Sequence, residues 1–519
     1  MSDQEFVSAP ALILRSLASH PHRRAITTAD RVEITAGDFA AATYRLAHEL
    51  LARGITRGST VTLLTGNTAE ALSARYAAGL AGARVVSLYD GMSAPVLAEI
   101  VASVDTTVLL VDAERHADAP ALLPLIDVPA VLTLGPGPDG TGSAHTIGED
   151  VIAASATRPA AEPAVPVGPG DDLGIRHTGG TTGIPKGILS LHGPYRSVFD
   201  IPFGDARPDG EQARFLAATS LAHLAGLLSD LTLHHGGSVV LQRSFDPGDV
   251  LAAIERERIT DLWVLPPLLY RLLDHPALAD TDLSSLRRVS YGGCASSPSR
   301  IREALKAFGP VLVSGYGMSE AQNIAILGPH EHDRTGHGGQ IPVGRPLPGV
   351  EVQIRAADGT VLPAGGRGGI HVRSATIMAG YWKRPDLTAR VLRDGWLDTG
   401  DIGYLDADGY LYLADRLKDL IIVVGGHVHP TEVEEVLLTH PAIAQCAVYG
   451  VRDDQQAEHV HAAVVPAPGQ RPTLEDVRAF VTAHKGRIYA PEALHLLDAI
   501  PLTAVGKPDK KRLREALTR

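Results

Sequence analysis

The sequence predicts an α/β fold of more than one domain, and two observations predict it. Short apolar runs alternate with helical patterns in the first part of the chain, the signature of βα repetition and of a largely parallel, doubly wound sheet. The chain is also 519 residues long with 45% hydrophobic content, more than one ordinary core organises.

The elements follow in order. "VTLLTGN" from Val61 predicts a buried strand and turn, and "TAEALSARYAAGLAG" predicts a helix stopped by glycine. "ARVVSLYD" and "TTVLLVD" predict further strands, with "APVLAEIVASV" as the helix between them. From Gly135 to Gly170 the text turns to Pro, Gly and Ala ("GPGPDGTG", "RPAAEPAVPVGPGD"), which predicts a surface excursion or linker.

Composition excludes several function classes. A formal net charge of −12 gives no broad cationic field for nucleic acid or an anionic membrane. The amino terminus lacks a positive n-region, and no apolar run reaches a spanning length, so secretion and membrane insertion are not expected. Two distant cysteines, Cys294 and Cys446, suit a cytoplasmic, reducing setting without a disulfide framework.

The chemistry concentrates in "DDLGIRHTGGTTGIPKGILSLH", an apolar strand, a glycine loop and a second apolar stretch. Glycines can turn successive N–H groups into one concavity, and threonine hydroxyls and a lysine add donors, so a polyphosphate cradle is the sharp reading. An ordinary flexible surface loop is the plain alternative. A Walker loop is excluded, because Gly187 follows Lys186 where Ser or Thr is required.

This loop resembles the phosphate-binding signature of the adenylate-forming superfamily, which includes acyl-CoA synthetases, luciferases and peptide adenylation domains. Further stretches match in family order: "TSLAHLAG", "SYGGCASS", "SGYGMSEA", "VGRPLPGVEV", "GYWKRPDLT", "GWLDTGDIGYL" and "PLTAVGKPDKKRL". The resemblance implies a large amino-terminal domain of stacked α/β subdomains plus a barrel-like part, residues 1–416. A small mobile α+β lid follows, residues 417–519, with its hinge at Lys418.

It also implies roles by position. Thr178, Gly179, Gly180, Thr181, Thr182, Gly183 and Lys186 would hold the phosphates of ATP. Tyr316, with Gly317 after it, would face the adenine opposite the backbone of Gly292 and Gly293. Ser319 would bind phosphate, Glu320 would ligate Mg2+, and Asp401 and Arg416 would hold the ribose side. His223, followed by Gly226, would contact the acid's carboxylate, and Lys507 would bridge acid and nucleotide during adenylation. Gly425 and Gly426 would leave room for the pantetheine arm of coenzyme A. A carboxylate attacking the α-phosphorus of ATP accumulates negative charge, and metal plus lysine neutralise it.

Three departures stand out. Gly179 replaces a common Ser and removes one hydroxyl donor, Cys294 replaces a common Ala, and His429 takes a position often aromatic. Cys294 reads as a small packed residue, since no step of this chemistry needs a thiol. "HEHDRTGH" holds His330, His332, Asp333 and His337, but its polar setting argues against zinc. His459 and His461 read as one face of a strand.

The acid is expected to be aromatic or medium aliphatic. An α-amino acid is disfavoured, because the "SLAHLAG" region offers no Asp for an ammonium. The chain stops 12 residues after Lys507, so a free acceptor is expected. Coenzyme A is the first choice. A carrier protein, an amine, or an aryl amine meeting adenylated nitrite is the alternative. The reading also allows a homodimer.

Overall fold

The computed structural model describes residues 6–89, 92–136, 147–178, 186–201, 211–293, 296, 298–336, 341–416, 421–424, 426–428, 430–455, 457–501 and 510–517. Among them two large sheets carry the amino-terminal part. One has eight strands, six of them parallel, from Asp172–Thr178 through Thr60–Leu64 at its middle to Glu149–Asp150 at its edge. The other has nine, with a parallel centre that includes Arg288–Gly292 and Leu312–Met318. This is the doubly wound pattern that the βα repetition predicts.

Local chemistry explains the elements. Thr60–Leu64 is buried at every position, as a central parallel strand must be. The helix Ala69–Leu80 starts where the Thr68 side chain accepts from the Ala71 N–H, and Gly82 ends the turn at a positive φ of 76°. The stretch 135–170 is only partly an excursion. It contains the edge strand Glu149–Asp150 and the helix Val151–Ser155, which the Asp150 carboxylate caps by accepting from Ile152 and Ala153.

Asn67 fastens the two sheets together. Its amide donates to the carbonyls of Thr219 and Gln242 at 3.0 and 2.9 Å and accepts from the Leu221 N–H at 2.9 Å. The segment that leads to His223 is thereby fixed.

A five-stranded antiparallel sheet built on Glu351–Arg355, Gly368–Arg373 and Trp396–Leu405 stands where a barrel-like part is expected. The smaller carboxy-terminal unit pairs Ile421–Val423 with Gly426–Val428. It then packs the helices Pro430–Leu437 and Leu474–Lys485 on the strands Ile443–Arg452, Glu458–Pro466 and Ala493–Leu496. One end of that unit touches the large domain. The Ser93 hydroxyl donates to the His484 carbonyl at 2.7 Å and its N–H donates to the Lys485 carbonyl at 3.2 Å.

Candidate active site

The glycine loop leaves one strand and re-enters its antiparallel neighbour. Thr178, the last residue of Asp172–Thr178, is directly opposite Lys186, the first of Lys186–Leu191. Gly179, Gly180, Thr181, Thr182 and Gly183 lie outside the described residues. Gly187 is required by close approach, since a Cβ there would sit 2.7 Å from Ile175 and 3.2 Å from Trp382. That contact explains why no hydroxyl residue follows Lys186.

The short strand Gly380–Tyr381 continues the same sheet, with Tyr381 opposite Ile188. Its phenol lies between two sequence-predicted groups. The hydroxyl donates to Glu320 Oε1 at 2.9 Å, and Lys186 Nζ stands 5.3 Å from the ring centroid. Burial and the Glu320 charge hold the Tyr381 hydroxyl well above the usual tyrosine range, so it stays protonated and donates. Glu320 itself is buried. It and Ser319 occupy the turn between Leu312–Met318 and Gln322–Leu327, where Gln322 adopts a positive φ of 60°.

Tyr316 lies on the first of these strands, four residues before Glu320. Gly292 faces Gly315 across the parallel pair, and a Cβ on Gly292 would lie 2.2 Å from the Gly315 carbonyl oxygen. The small residues thus bring backbone to backbone beside Tyr316, and Gly293 follows at a positive φ of 81°. A Cβ on Gly317 would lie 2.3 Å from the Gln322 carbonyl oxygen, so the hairpin needs this glycine too. The Tyr316 hydroxyl donates to Asp401 Oδ2 at 2.7 Å. Asp401 is shaped by its own turn, where its N–H donates to Thr399 Oγ1 at 3.1 Å, and it pairs in register with Arg416.

His223 precedes the helix Leu224–His234 and stacks on Tyr89, with centroids 4.3 Å apart and planes 16° from parallel. Burial, reinforced by the nearby Arg176 cation, pushes its pKa down to about 4, so the ring is neutral near pH 7. Gly226 lets the helix start pack, because a Cβ would meet the Leu221 carbonyl oxygen at 2.1 Å.

His223 opens on a cavity of about 100 Å³ whose walls include Ala9, Ile13, Tyr89, Arg176, Tyr195 and Asp230. Sequence reasoning named His223 but missed the charged residues of this cavity. Asp230, seven positions after His223, is 2% exposed. It pairs with Arg75 and accepts from the hydroxyls of Tyr76 and Tyr195 at 2.5 Å each. An Asp does therefore stand near "SLAHLAG", but its acceptors are already engaged.

Lys507, Lys418, Gly425, Cys294, His429 and His337 lie outside the described residues. Gly426 is described in the strand Gly426–Val428. His332 differs from the sequence reading of a polar setting, since it is 5% exposed and lies 5.9 Å from the Tyr291 ring. His459 and His461 do share one strand face, on Glu458–Pro466.

Comparison with known proteins gives the family. Residues 13–382 match the model of the AMP-binding enzyme family, and 432–507 match its C-terminal domain. A medium/long-chain fatty acid–CoA ligase of Mycobacterium tuberculosis is 34% identical, the match covering 97% of this chain and 89% of that protein. A feruloyl-CoA synthase of Amycolatopsis is also 34% identical, covering 96% and 97%. The solved structure of the amide bond synthetase McbA from Marinactinospora thermotolerans is 38% identical with a TM-score of 0.90, covering 98% of this chain and all of that one. The chain belongs to the AMP-binding enzyme family, the adenylate-forming superfamily, and is an AMP-forming ligase.

Proposed function

We propose that this ligase activates a carboxylic acid, aromatic or medium aliphatic, as its acyl adenylate and transfers the acyl group to coenzyme A. The observation that carries the reading is the segment Tyr316–Glu320. One end hydrogen-bonds Asp401, and the other meets Tyr381, which lies against Lys186. In this reading the ring faces the base, Asp401 the ribose, Glu320 the metal and Lys186 the phosphates, and the contacts among them support one site.

In the first half reaction a carboxylate oxygen attacks the α-phosphorus of ATP. The bond from that phosphorus to the bridging oxygen breaks, and pyrophosphate leaves. Thr178, the glycine loop and Lys186 hold the phosphates, Ser319 adds a hydroxyl, and Tyr316 and Asp401 orient the nucleoside. Lys507 stabilises the charge that builds between acid and nucleotide. Glu320 would hold Mg2+, since its buried carboxylate offers a hard oxygen of the kind that ion takes. Such an ion, when bound, neutralises phosphate charge.

In the second half reaction a thiolate sulfur attacks the acyl carbon and AMP leaves. The lid, residues 417–519, turns about Lys418 and presents the Gly425–Gly426 stretch to the pantetheine arm. Coenzyme A as acceptor is supported by the named ligases among the relatives. A cytoplasmic setting suits the part-buried free thiol of Cys446.

The amide bond synthetase at 38% identity favours a second reading, in which an amine takes the acyl group. Pyrophosphate release across a panel of acids, each alone, with coenzyme A and with an amine, separates the two. Acyl-CoA as the main product is expected. Amide as the main product moves the assignment to the second reading, and no acid-dependent release overturns adenylation itself.

A further inference from the structure

Among the described residues, the walls of the cavity beside His223 carry one positive charge more than they neutralise. Its charged lining among the described residues consists of Arg75, Arg176 and Asp230. Asp230 is paired with Arg75 and receives two tyrosine hydroxyls, so those two charges answer each other. Tyr76, Tyr89 and Tyr195 are neutral phenols raised by burial. Among the described residues nothing hydrogen-bonds or ion-pairs with the Arg176 guanidinium.

Placement gives that cation a purpose. Arg176 precedes Thr178 by two positions, so along the strand it sits only about 7 Å from the start of the glycine loop. Its strand neighbours Ile175 and His177 are 2% and 3% exposed, whereas Arg176 is half-buried and lines the cavity. It shares the cavity wall with His223, Tyr89, Tyr195 and Asp230, and its charge acts on all four. A half-buried guanidinium without a partner costs free energy, and a carboxylate is the ligand that offsets it best.

Building on the adenylation reading above, we propose that Arg176 holds the reacting carboxylate of the acid, and that the cavity selects monocarboxylic acids with an uncharged body. One excess cation matches one carboxylate. A second carboxylate on the substrate would meet the buried Asp230 or the apolar wall of Ala9, Pro10 and Ile13, and both disfavour it. Arg176 forms and breaks no covalent bond. It seats one oxygen and leaves the other to attack phosphorus.

Calorimetric binding without ATP tests this. The probes are benzoate, 3-phenylpropanoate and octanoate, their primary amides, and the dicarboxylates phthalate and suberate. They are titrated into the wild type, Arg176→Gln and Arg176→Lys. In the wild type the tightest acid should bind at least about tenfold tighter than its amide. Arg176→Gln should weaken that acid by about tenfold and its amide by less than about twofold, and Arg176→Lys should recover most of the loss. Equal weakening of acid and amide would make Arg176 structural and overturn the proposal. So would a wild type that binds no acid more tightly than its amide, a comparison that needs no variant to fold. A loss confined to the dicarboxylates would overturn it as well, by assigning Arg176 to a second group. Because binding is read without turnover, absent pyrophosphate release sinks the adenylation reading, whereas an indifferent Arg176→Gln sinks this inference alone.

Discussion

The Tyr316 hydroxyl donates to Asp401 Oδ2 at 2.7 Å, joining a strand of the nine-stranded sheet to the central strand of the five-stranded one. Two residues 85 positions apart therefore share one orientation. In the proposed site they bound the base and the sugar of the same nucleotide. Tyr316→Phe should weaken ATP binding by only about 1 kcal/mol, because Asp401 keeps its carboxylate and loses one bond that orients it. Asp401→Ala would also remove the proposed bonds to the ribose and should cost about 1.5–3 kcal/mol. Titration calorimetry with ATP checks both, and an Asp401→Ala protein with wild-type affinity would take Asp401 out of the ribose site.

Tyr381 was not a sequence candidate, yet its hydroxyl is what holds Glu320 Oε1. Tyr381→Phe keeps the ring beside Lys186 and removes only that donor. The Mg2+ concentration for half-maximal pyrophosphate release should change by at least about threefold, with ATP affinity little altered, because the buried carboxylate loses its fixed orientation. An unchanged Mg2+ dependence would mean that Glu320 needs no such support.

Acid pH should destabilise the fold through its buried histidines. His192 is fully buried with both ring nitrogens unbonded among the described residues, and burial lowers its pKa to about 4. Its unfolded value lies near 6.5. Between these two values the unfolded chain binds a proton that the folded protein refuses, so stability rises with pH across that window and falls as pH drops through it. From pH 7.5 to pH 5 His192 alone should remove about 2 kcal/mol. Urea midpoints measured for the wild type and His192→Leu check this, and the variant should show the shallower pH slope. Equal slopes would remove His192 from the account.

The proposed lid offers a test of the acceptor. A Cβ on Gly426 would already lie 3.0 Å from Ile488 Cδ1, so a tryptophan there must turn outward or displace Ile488. Gly426→Trp should keep acid-dependent pyrophosphate release near wild type in a single turnover. Acyl-CoA production should fall by at least about tenfold, a barrier increase of roughly 1.4 kcal/mol. Wild-type acyl-CoA production would place the thiol's route elsewhere.

What the sequence revealed follows from where each signal is written. The βα alternation around Val61 and the glycine loop are local, and each announced itself over ten or so residues. Asp230 was hidden because it sits inside the apolar helix Leu224–His234, and its partners Arg75, Tyr76 and Tyr195 come from two other helices. Only the fold brings them together. Arg176 had a weak signal, the one arginine in a largely apolar strand just before the loop, beside the louder glycines. The strand and helix at Glu149–Ser155 were missed for a different reason: each is too short for a periodic pattern, and the Asp150 cap organises them.

Acid-dependent exchange of labelled pyrophosphate into ATP, with no acceptor present, tests the central claim most directly, because it reports reversible acyl adenylate formation and nothing later. The account predicts exchange with at least one aromatic or medium aliphatic monocarboxylic acid, and its loss in Lys507→Ala, which should still pass preformed acyl adenylate to coenzyme A. Formation of ADP in place of AMP, or acyl transfer from ATP and acid without any pyrophosphate exchange, would contradict it.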